Sequence, residues 1–516
     1  MIGGGVAADG GSRDEALERL GTGVFDVLVV GGGIVGCRTA YEAARAGLRV
    51  ALVDAGDFAG ATSGSSARLV HGGLRYLRRG DLRLVRAASL ERNILCSRVA
   101  PHLVRRIPFV AASSGGLLRA AELLAGLSLY SAAGGRGWPR PGPVTRRRAG
   151  RLVPQIQDSP VVPRAVFYEA RTDDGRLTLA TAKAAEAAGA VVSNHLRVLD
   201  LALVPGGVSE ASISGPEGGL RVRFRAVVNA TGPWMDAVRR IEDARAGPVT
   251  RLSKGVHVAL RSREPWNAAV AASMRDGGHL YAVPYDDLVL VGTTDDEYDG
   301  EPGGARAEAD DVARLLDRAS AILPDDVLVS DALVSSYAGL RVLPRGPGGT
   351  VSAGRDHLLS VGPKGMVSVA GGKLTTHRRI AIDALRLLPP HVRPRKTRAC
   401  AAPLPGSFPT GFGPRLDPDD PVRRHLFRVY GFEAGDVLSR AAHLPDGLDR
   451  VAPEGPDVWA QVHYAVAQEW ALTAEDVVRR RTTLALRGQD TPDVRARISA
   501  VIRAPDRGPL PSGLTA

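Results

Sequence analysis

The chain has 516 residues, 44% apolar and 24% charged. That is the composition of a globular protein, and it excludes a disordered chain, a collagen-like fibre and a small disulfide scaffold. At about 150 residues per domain the length predicts two to four domains. The net charge of +12 comes with only five lysines, at 183, 254, 364, 373 and 396. The arginines are scattered, so the basicity reads as coding bias rather than a nucleic-acid surface, and each amine becomes informative.

Residues 1–21 carry Gly, Asp and Glu without a basic end and an apolar stretch. They read as a flexible tail with one helical turn, not a secretory signal, and cytoplasmic synthesis is the default expectation. Residues 27–30 are a short apolar run closed by Gly31-Gly32-Gly33, which predicts a buried parallel strand. Residues 34–46 predict a helix stopped by Gly47, and 49–53 a second buried strand ending at Asp54. The turn of this βαβ unit holds G-x-G-x-x-G at Gly31, Gly33 and Gly36. The first glycine permits the tight turn, the second lets the backbone approach a pyrophosphate, and the third lets helix and strand pack closely. The helix N-terminus then turns N–H groups toward the phosphates. Asp54 lies 23 residues past Gly31, where a carboxylate can bind ribose hydroxyls.

Thr62-Ser63-Gly64-Ser65-Ser66-Ala67-Arg68-Leu69 follows. It is a run of small hydroxyl residues suited to wrap a second phosphate or a polyol chain, or to be a plain polar loop. In its sequel, His71-Gly72-Gly73-Leu74-Arg75-Tyr76-Leu77, two glycines permit close approach to a flat ring beside an imidazole, a guanidinium and a phenol. Residues 116–133 predict an apolar helix whose only charges are Arg119 and Glu122. It reads either as a core helix or as one dipping into a membrane leaflet. Residues 225–229 predict another buried strand, and 247–342 alternates in the manner of an antiparallel sheet, with strands at 279–283, 288–293 and 333–341. Residues 365–370 predict a strand ending at Gly371-Gly372-Lys373, with a helix over 375–388. Proline-rich stretches at 139–143 and 389–405 break the chain, and 417–504 reads as a separate helical domain. No run of 18 apolar residues occurs, so no spanning helix is expected. Cys37, Cys96 and Cys400 are too few and too scattered for a disulfide framework, and no metal site is predicted.

Four stretches resemble the FAD-dependent glycerol-3-phosphate dehydrogenases: 27–54, 62–77, 290–300 (L-V-G-T-T-D-D-E-Y-D-G) and 370–376 (A-G-G-K-L-T-T). Lesser matches fall at 229–234, 254–257, 337–341 and 469–476, in the family's order. The fold expected is α/β. A doubly wound, glutathione-reductase-like FAD-binding domain (23–110, 164–240 and 351–390) is interrupted by an antiparallel β-rich substrate domain (111–163 and 241–350). A C-terminal helical domain (391–516) follows, and 1–22 precede as the tail.

The resemblance implies FAD and the oxidation of sn-glycerol 3-phosphate to dihydroxyacetone phosphate by hydride transfer. It also implies a quinone as electron acceptor and peripheral contact with the inner face of the cell membrane; oxygen is the other acceptor open to a chain without an iron–sulfur cysteine cluster, and a homodimer is the expected assembly. The implied cofactor contacts are Gly31, Gly33, Gly36, Asp54, Thr62, Ser63, Ser66, Leu69, Gly72, Gly371, Gly372, Leu374 and Thr375. The implied substrate contacts are Arg75, Tyr76, Lys373 and Thr376, with His257 as base and Arg341 meeting the phosphate and steadying the developing alkoxide. A phosphate dianion calls for such arginine forks and lysine charges. Read without the resemblance, His257 is a satisfied structural histidine and each arginine a surface ion pair. Val35, Val256, Val342 and His377 depart from the family's usual Asn, small polar residue, Pro and aromatic. They leave room for an FAD-dependent oxidase of another small anion, a hydroxy or amino acid. A flavoprotein that binds RNA is the reading from another class, and 5% aromatics with scattered arginine disfavour it.

Overall fold

In the computed structural model of the chain, the described residues are 13–77, 80–113, 117–135, 137–159, 161–273, 279–346, 356–395, 398–408 and 419–504. Two sheets organise them. The first has eight strands, and its path runs His357–Val361, Val367–Gly371, Gly218–Asn229, Val24–Val30, Val50–Val53 and Val191–Ser193. All neighbours along this path are parallel except the first pair. Alternation along Val24–Val30 explains the layers. Val27 and Val29 face a core shared with the helices Ile34–Arg45, Asp174–Ala187 and His377–Arg386. Leu28 and Val30 face a second core on the other side. Both faces are thus covered, which is why these strands read as continuous apolar runs.

Residues 13–22, expected as part of a flexible tail, form the helix Arg13–Thr22. Leu20 is fully buried beneath it, and Arg13 holds Glu217 at 2.6 Å. One buried leucine and one anchored arginine hold a segment whose composition alone suggested nothing to pack against.

The second sheet has ten strands and carries the long pair Thr250–Arg261 and Leu333–Pro344. It is antiparallel apart from Ala269–Ser273 beside Arg105–Ser113. It also recruits Leu69–Val70, Arg105–Ser113 and Val162–Arg171, so it draws on chain earlier than 111 and later than 163. Val162–Arg171 alternates buried and half-buried positions. That is the signature of a strand with one open face rather than of the buried parallel sheet. Val256, Val258 and Leu260 pack one face of this sheet against the helix Ala309–Ser320.

The C-terminal helices Pro421–Tyr430, Ala434–Ala441, Trp459–Gln468 and Pro492–Arg503 enclose two small cores of their own. They dock on the first sheet through buried ion pairs. Arg481 grips Asp57 with two bonds, 2.7 and 2.8 Å, and Arg480 adds a third contact to the same carboxylate. Arg176 pairs with Glu469 at 2.7 Å through both oxygens. Trp470 stands edge-on to Phe58, ring centroids 5.2 Å apart. Asp57, His195 and Asp476 approach closely enough to share an ion, but the two arginines already fill Asp57, so the cluster is an ion-pair lock.

Candidate functional site

The glycine turn is built so that side chains are excluded. Gly31 has φ +110°, and a Cβ there would lie 2.6 Å from the Ala230 carbonyl oxygen. A Cβ on Gly36 would strike the Gly31 carbonyl, so the helix packs on the turn only through glycine. Asp54 closes the next strand. It accepts the Gly32 N–H at 2.6 Å and the Gly56 N–H at 2.8 Å. Burial raises its pKa and those two N–H groups oppose the rise. Ser63 accepts the Ile34 N–H at 3.0 Å, which pins the hydroxyl-rich loop to the first turn of the helix. A narrow glycine cradle, a helix N-terminus and an acid at the neighbouring strand end fit a dinucleotide.

The loop after this turn bridges to the second sheet. Thr62 donates its hydroxyl to Leu340 O at 2.7 Å. Gly339 faces the Ser65 carbonyl so closely that a Cβ would overlap it. Ser66 donates its N–H to Asp174 at 2.8 Å, and its carbonyl accepts the Tyr337 hydroxyl at 3.0 Å. Leu69 pairs with Arg171 at the sheet edge. His71 donates its N–H to Thr375 Oγ1 at 3.0 Å. Gly72 approaches Glu169 at 3.4 Å, and its missing side chain makes room for Tyr130 and Ser89. Gly371 and Gly372 both have positive φ, and a Cβ on Gly371 would lie 3.0 Å from Val342 O. Segments from both halves of the chain, 31–36 and 62–72 from the first and 337–342 and 371–376 from the second, therefore converge on one place.

On the second sheet, two strands present matched rows of side chains. Ser253, Gly255 and His257 lie directly opposite Arg341, Gly339 and Tyr337. The facing glycines leave a gap between the imidazole and the guanidinium ends of the rows. Arg341 leans across Gly255 into that gap. It is held by Thr293 Oγ1 at 2.7 Å, Thr294 O at 3.0 Å and Ser253 Oγ at 3.2 Å, with Asp295 at 3.6 Å. The His257 ring stacks on Tyr337, centroids 5.0 Å apart and 12° from parallel. Its other side is open only because residue 292 is glycine. The imidazole is buried, and among the described residues neither ring nitrogen has a hydrogen-bond partner. Burial, then Arg341 and Arg68, bring its pKa down to about 3. A neutral, desolvated base thus lies close to a fixed cation.

Lys373 precedes the short turn Leu374–Thr376 and buries its amine. Thr376 donates its hydroxyl to Lys373 O at 3.3 Å. Arg75 and Tyr76 lie on the short helix Leu74–Leu77, and their side chains fall outside the described residues. Of the departures, Val256 faces the core between the second sheet and the helix Ala309–Ser320, away from His257. Val342 packs with Met235 and Ala370. Val35 leans on the main core. His377 bonds Leu374 O at 2.7 Å and is brought down to about 3 by burial, Arg38 and Arg378.

Sequence reasoning assigned no role to Ser253, Thr293, Thr294 and Asp295, which seat Arg341, or to Tyr337, which stacks on His257. It also missed Arg68, whose φ is +53° and which holds Asp173 at 2.8 Å. The run Thr293-Thr294-Asp295-Asp296 was the available signal, since four small polar residues after an apolar strand have no packing purpose.

Residues 26–378 match the FAD dependent oxidoreductase family, and 403–504 match the C-terminal domain of alpha-glycerophosphate oxidase. The glycerol-3-phosphate dehydrogenase of Mycobacterium leprae is 34% identical over 493 residues, covering 92% of this chain and 83% of that protein. The mitochondrial glycerol-3-phosphate dehydrogenase of Rattus norvegicus is 31% identical over 517 residues, covering 92% of this chain and 69% of that one. The solved structure of the Bacillus halodurans glycerol-3-phosphate dehydrogenase complexed with FAD superposes with a TM-score of 0.74 at 26% identity, covering 95% of both chains. The glycine turn, the convergent loops and these matches together place the chain in the FAD dependent oxidoreductase family, with FAD as its cofactor.

Proposed function

We propose that the protein oxidises sn-glycerol 3-phosphate to dihydroxyacetone phosphate. The observation that carries this reading is the row pair on the second sheet, where a buried neutral imidazole lies near a braced arginine across a glycine gap. The relatives named above as glycerol-3-phosphate dehydrogenases support it. When bound, FAD accepts the two electrons and the C2 hydrogen as hydride. His257 takes the proton of the C2 hydroxyl. On its own that imidazole is a weak base, because burial and two arginines oppose its charge. A phosphate dianion drawn to Arg341, Lys373 and Arg75 offsets those cations and raises its proton affinity. Arg341 is held by four groups, so it needs little rearrangement to steady phosphate and developing alkoxide.

The cofactor contacts proposed are the glycine turn, Asp54, the loop at Thr62, Ser63, Ser66, Leu69 and Gly72, and the second glycine pair with Leu374 and Thr375. Electrons then pass to a quinone. Contact with a membrane surface is proposed from the resemblance alone, because the helix Leu117–Ala133 turns Leu123, Leu124, Leu127 and Tyr130 into the protein and, among its described residues, exposes Leu129 as its one large apolar side chain. No helix among the described residues is long and apolar enough to cross a membrane.

The test is anaerobic stopped-flow reduction of the bound flavin. Glycerol 3-phosphate is expected to bleach it rapidly and glycerol not at all, because glycerol brings no charge to neutralise the cations and nothing to position C2. Faster bleaching by lactate or an amino acid would reassign the substrate.

A further inference from the structure

Between the second sheet and the C-terminal helices lies a small crevice, with a volume of about 40 Å³, whose lining includes Arg105, Arg171, Arg176, Arg428, Asp173 and Asp286. It shares no residue with the His257–Arg341 site. Two of its arginines are direct cross-strand partners, Arg105 opposite Arg171 in antiparallel register. Like charges in that position destabilise a sheet. The nearby carboxylates are committed to other partners. Glu469 takes Arg176 with both oxygens, Asp173 serves Arg68 at 2.8 Å, and Asp286 is shared by Arg428 and Arg487.

Among the described residues Arg105 reaches main-chain oxygens alone, of His102 at 2.8 Å and Arg428 at 3.3 Å. Arg171 reaches Pro284 O at 2.9 Å and lies 5.6 Å from the Tyr285 ring centre. Among the described residues neither has a carboxylate. Burial, then Arg428 and Arg171, lower the Arg105 pKa to about 10.

We propose that this crevice is a second anion site, which takes a small tetrahedral oxyanion of the phosphate class between Arg105 and Arg171. Guanidinium forks match the paired oxygens of such an anion, and its charge offsets the repulsion across the strands. Because Arg428 belongs to the helix Pro421–Tyr430, the bound anion also clamps the C-terminal helices onto the sheet.

The experiment is thermal unfolding and calorimetric titration of the FAD-loaded protein with inorganic phosphate, with chloride at equal ionic strength as control. Phosphate at ten times its Kd should raise Tm by roughly 1–3 °C. The rise should persist in Arg341→Ala/Lys373→Ala, where the substrate's own anion site is removed. It should vanish in Arg105→Gln/Arg171→Gln, whose glycerol 3-phosphate turnover stays within about twofold of wild type. Arg105→Glu places a carboxylate opposite Arg171, so it should raise Tm without phosphate and abolish the response, which keeps the proposal testable if the glutamine pair does not fold.

A phosphate response that survives in Arg105→Glu overturns the proposal. So does one lost only in Arg341→Ala/Lys373→Ala, or one no larger than that of chloride. Vesicles bearing phosphatidic acid that shift Tm where inorganic phosphate does not would point to a lipid surface and overturn it too. A protein inert to glycerol 3-phosphate but stabilised by phosphate through Arg105 would refute the substrate reading alone.

Discussion

His257 owes its position to its neighbours' lack of side chains as much as to their presence. Gly292 lies directly opposite it, and a methyl group there would run into the imidazole ring. Gly292→Ala should therefore mimic His257→Asn. Both should slow flavin reduction by glycerol 3-phosphate about a hundred- to ten-thousand-fold, the usual loss for a general base, while FAD stays bound. Single-turnover reduction measures it, and an unchanged rate in His257→Asn would return that residue to a structural role. Arg341→Ala and Lys373→Ala should lower kcat/KM by about 2–5 kcal/mol through loss of a desolvated contact to phosphate. The flavin absorbance of both variants should match wild type.

Among the elements, the loop carrying Gly72 is supported from below by a buried polar cluster. Glu169 on the strand Val162–Arg171 accepts Arg92 at 2.6 Å and the Tyr130 hydroxyl, and faces the Gly72 N–H. Arg92 in turn lies 3.6 Å from the centre of the Trp138 ring. Glu169→Leu would leave that arginine buried without its partner, at a cost of about 3–5 kcal/mol, read as a shifted urea midpoint. Tyr130→Phe should keep most of the stability and raise the KM for glycerol 3-phosphate, since Arg75 follows Gly72 by three residues. This cluster also marks the limit of what the sequence reveals. The βαβ unit is legible because three glycines and an acid at fixed spacing state one geometry. The buried parallel strands are legible because both faces are apolar. Glu169, Arg92 and Tyr130 come from three separate elements, and nothing local predicts that they meet. The same holds for Ser253 and Thr293 around Arg341, and for Val162–Arg171, whose membership in the second sheet depends on its partner strand. The helix Arg13–Thr22 escaped because it is anchored by Glu217, far away in the chain.

At the scale of the whole molecule, acid sensitivity follows from three buried histidines. His102, His257 and His377 are each brought down to about 3, burial being the first cause in every case. An unfolded histidine titrates near 6.5, so between about pH 6.5 and 3 the unfolded chain binds protons that the folded one refuses. Their contribution is complete above about pH 6.5 and is lost as pH falls toward 3, at about 1.4 kcal/mol per histidine per unit. Urea midpoints at pH 7.5 and 5.5 should show this loss, and His377→Gln should reduce it. A slope unchanged in that variant would assign it to the carboxylates instead. The docking of the C-terminal helices supplies a second whole-molecule test. Arg481→Met leaves Asp57 short of its two-pronged partner and should cost about 3–5 kcal/mol, with FAD more easily released.

That last expectation follows from a line of contacts running out from the glycine turn. The Phe58 ring fills the space beside Gly32, and Trp470 stands against Phe58. Asp57 and Arg481 are 424 residues apart in the chain. At a synthesis rate of about 5–20 residues per second, Asp57 waits roughly 20–80 s for the arginine that neutralises it. Once the strand Gly218–Asn229 has joined them, the turn and its acid strand are in place while the wall behind them is still missing. Firm capture of the cofactor is therefore expected only after the C-terminal helices have been made.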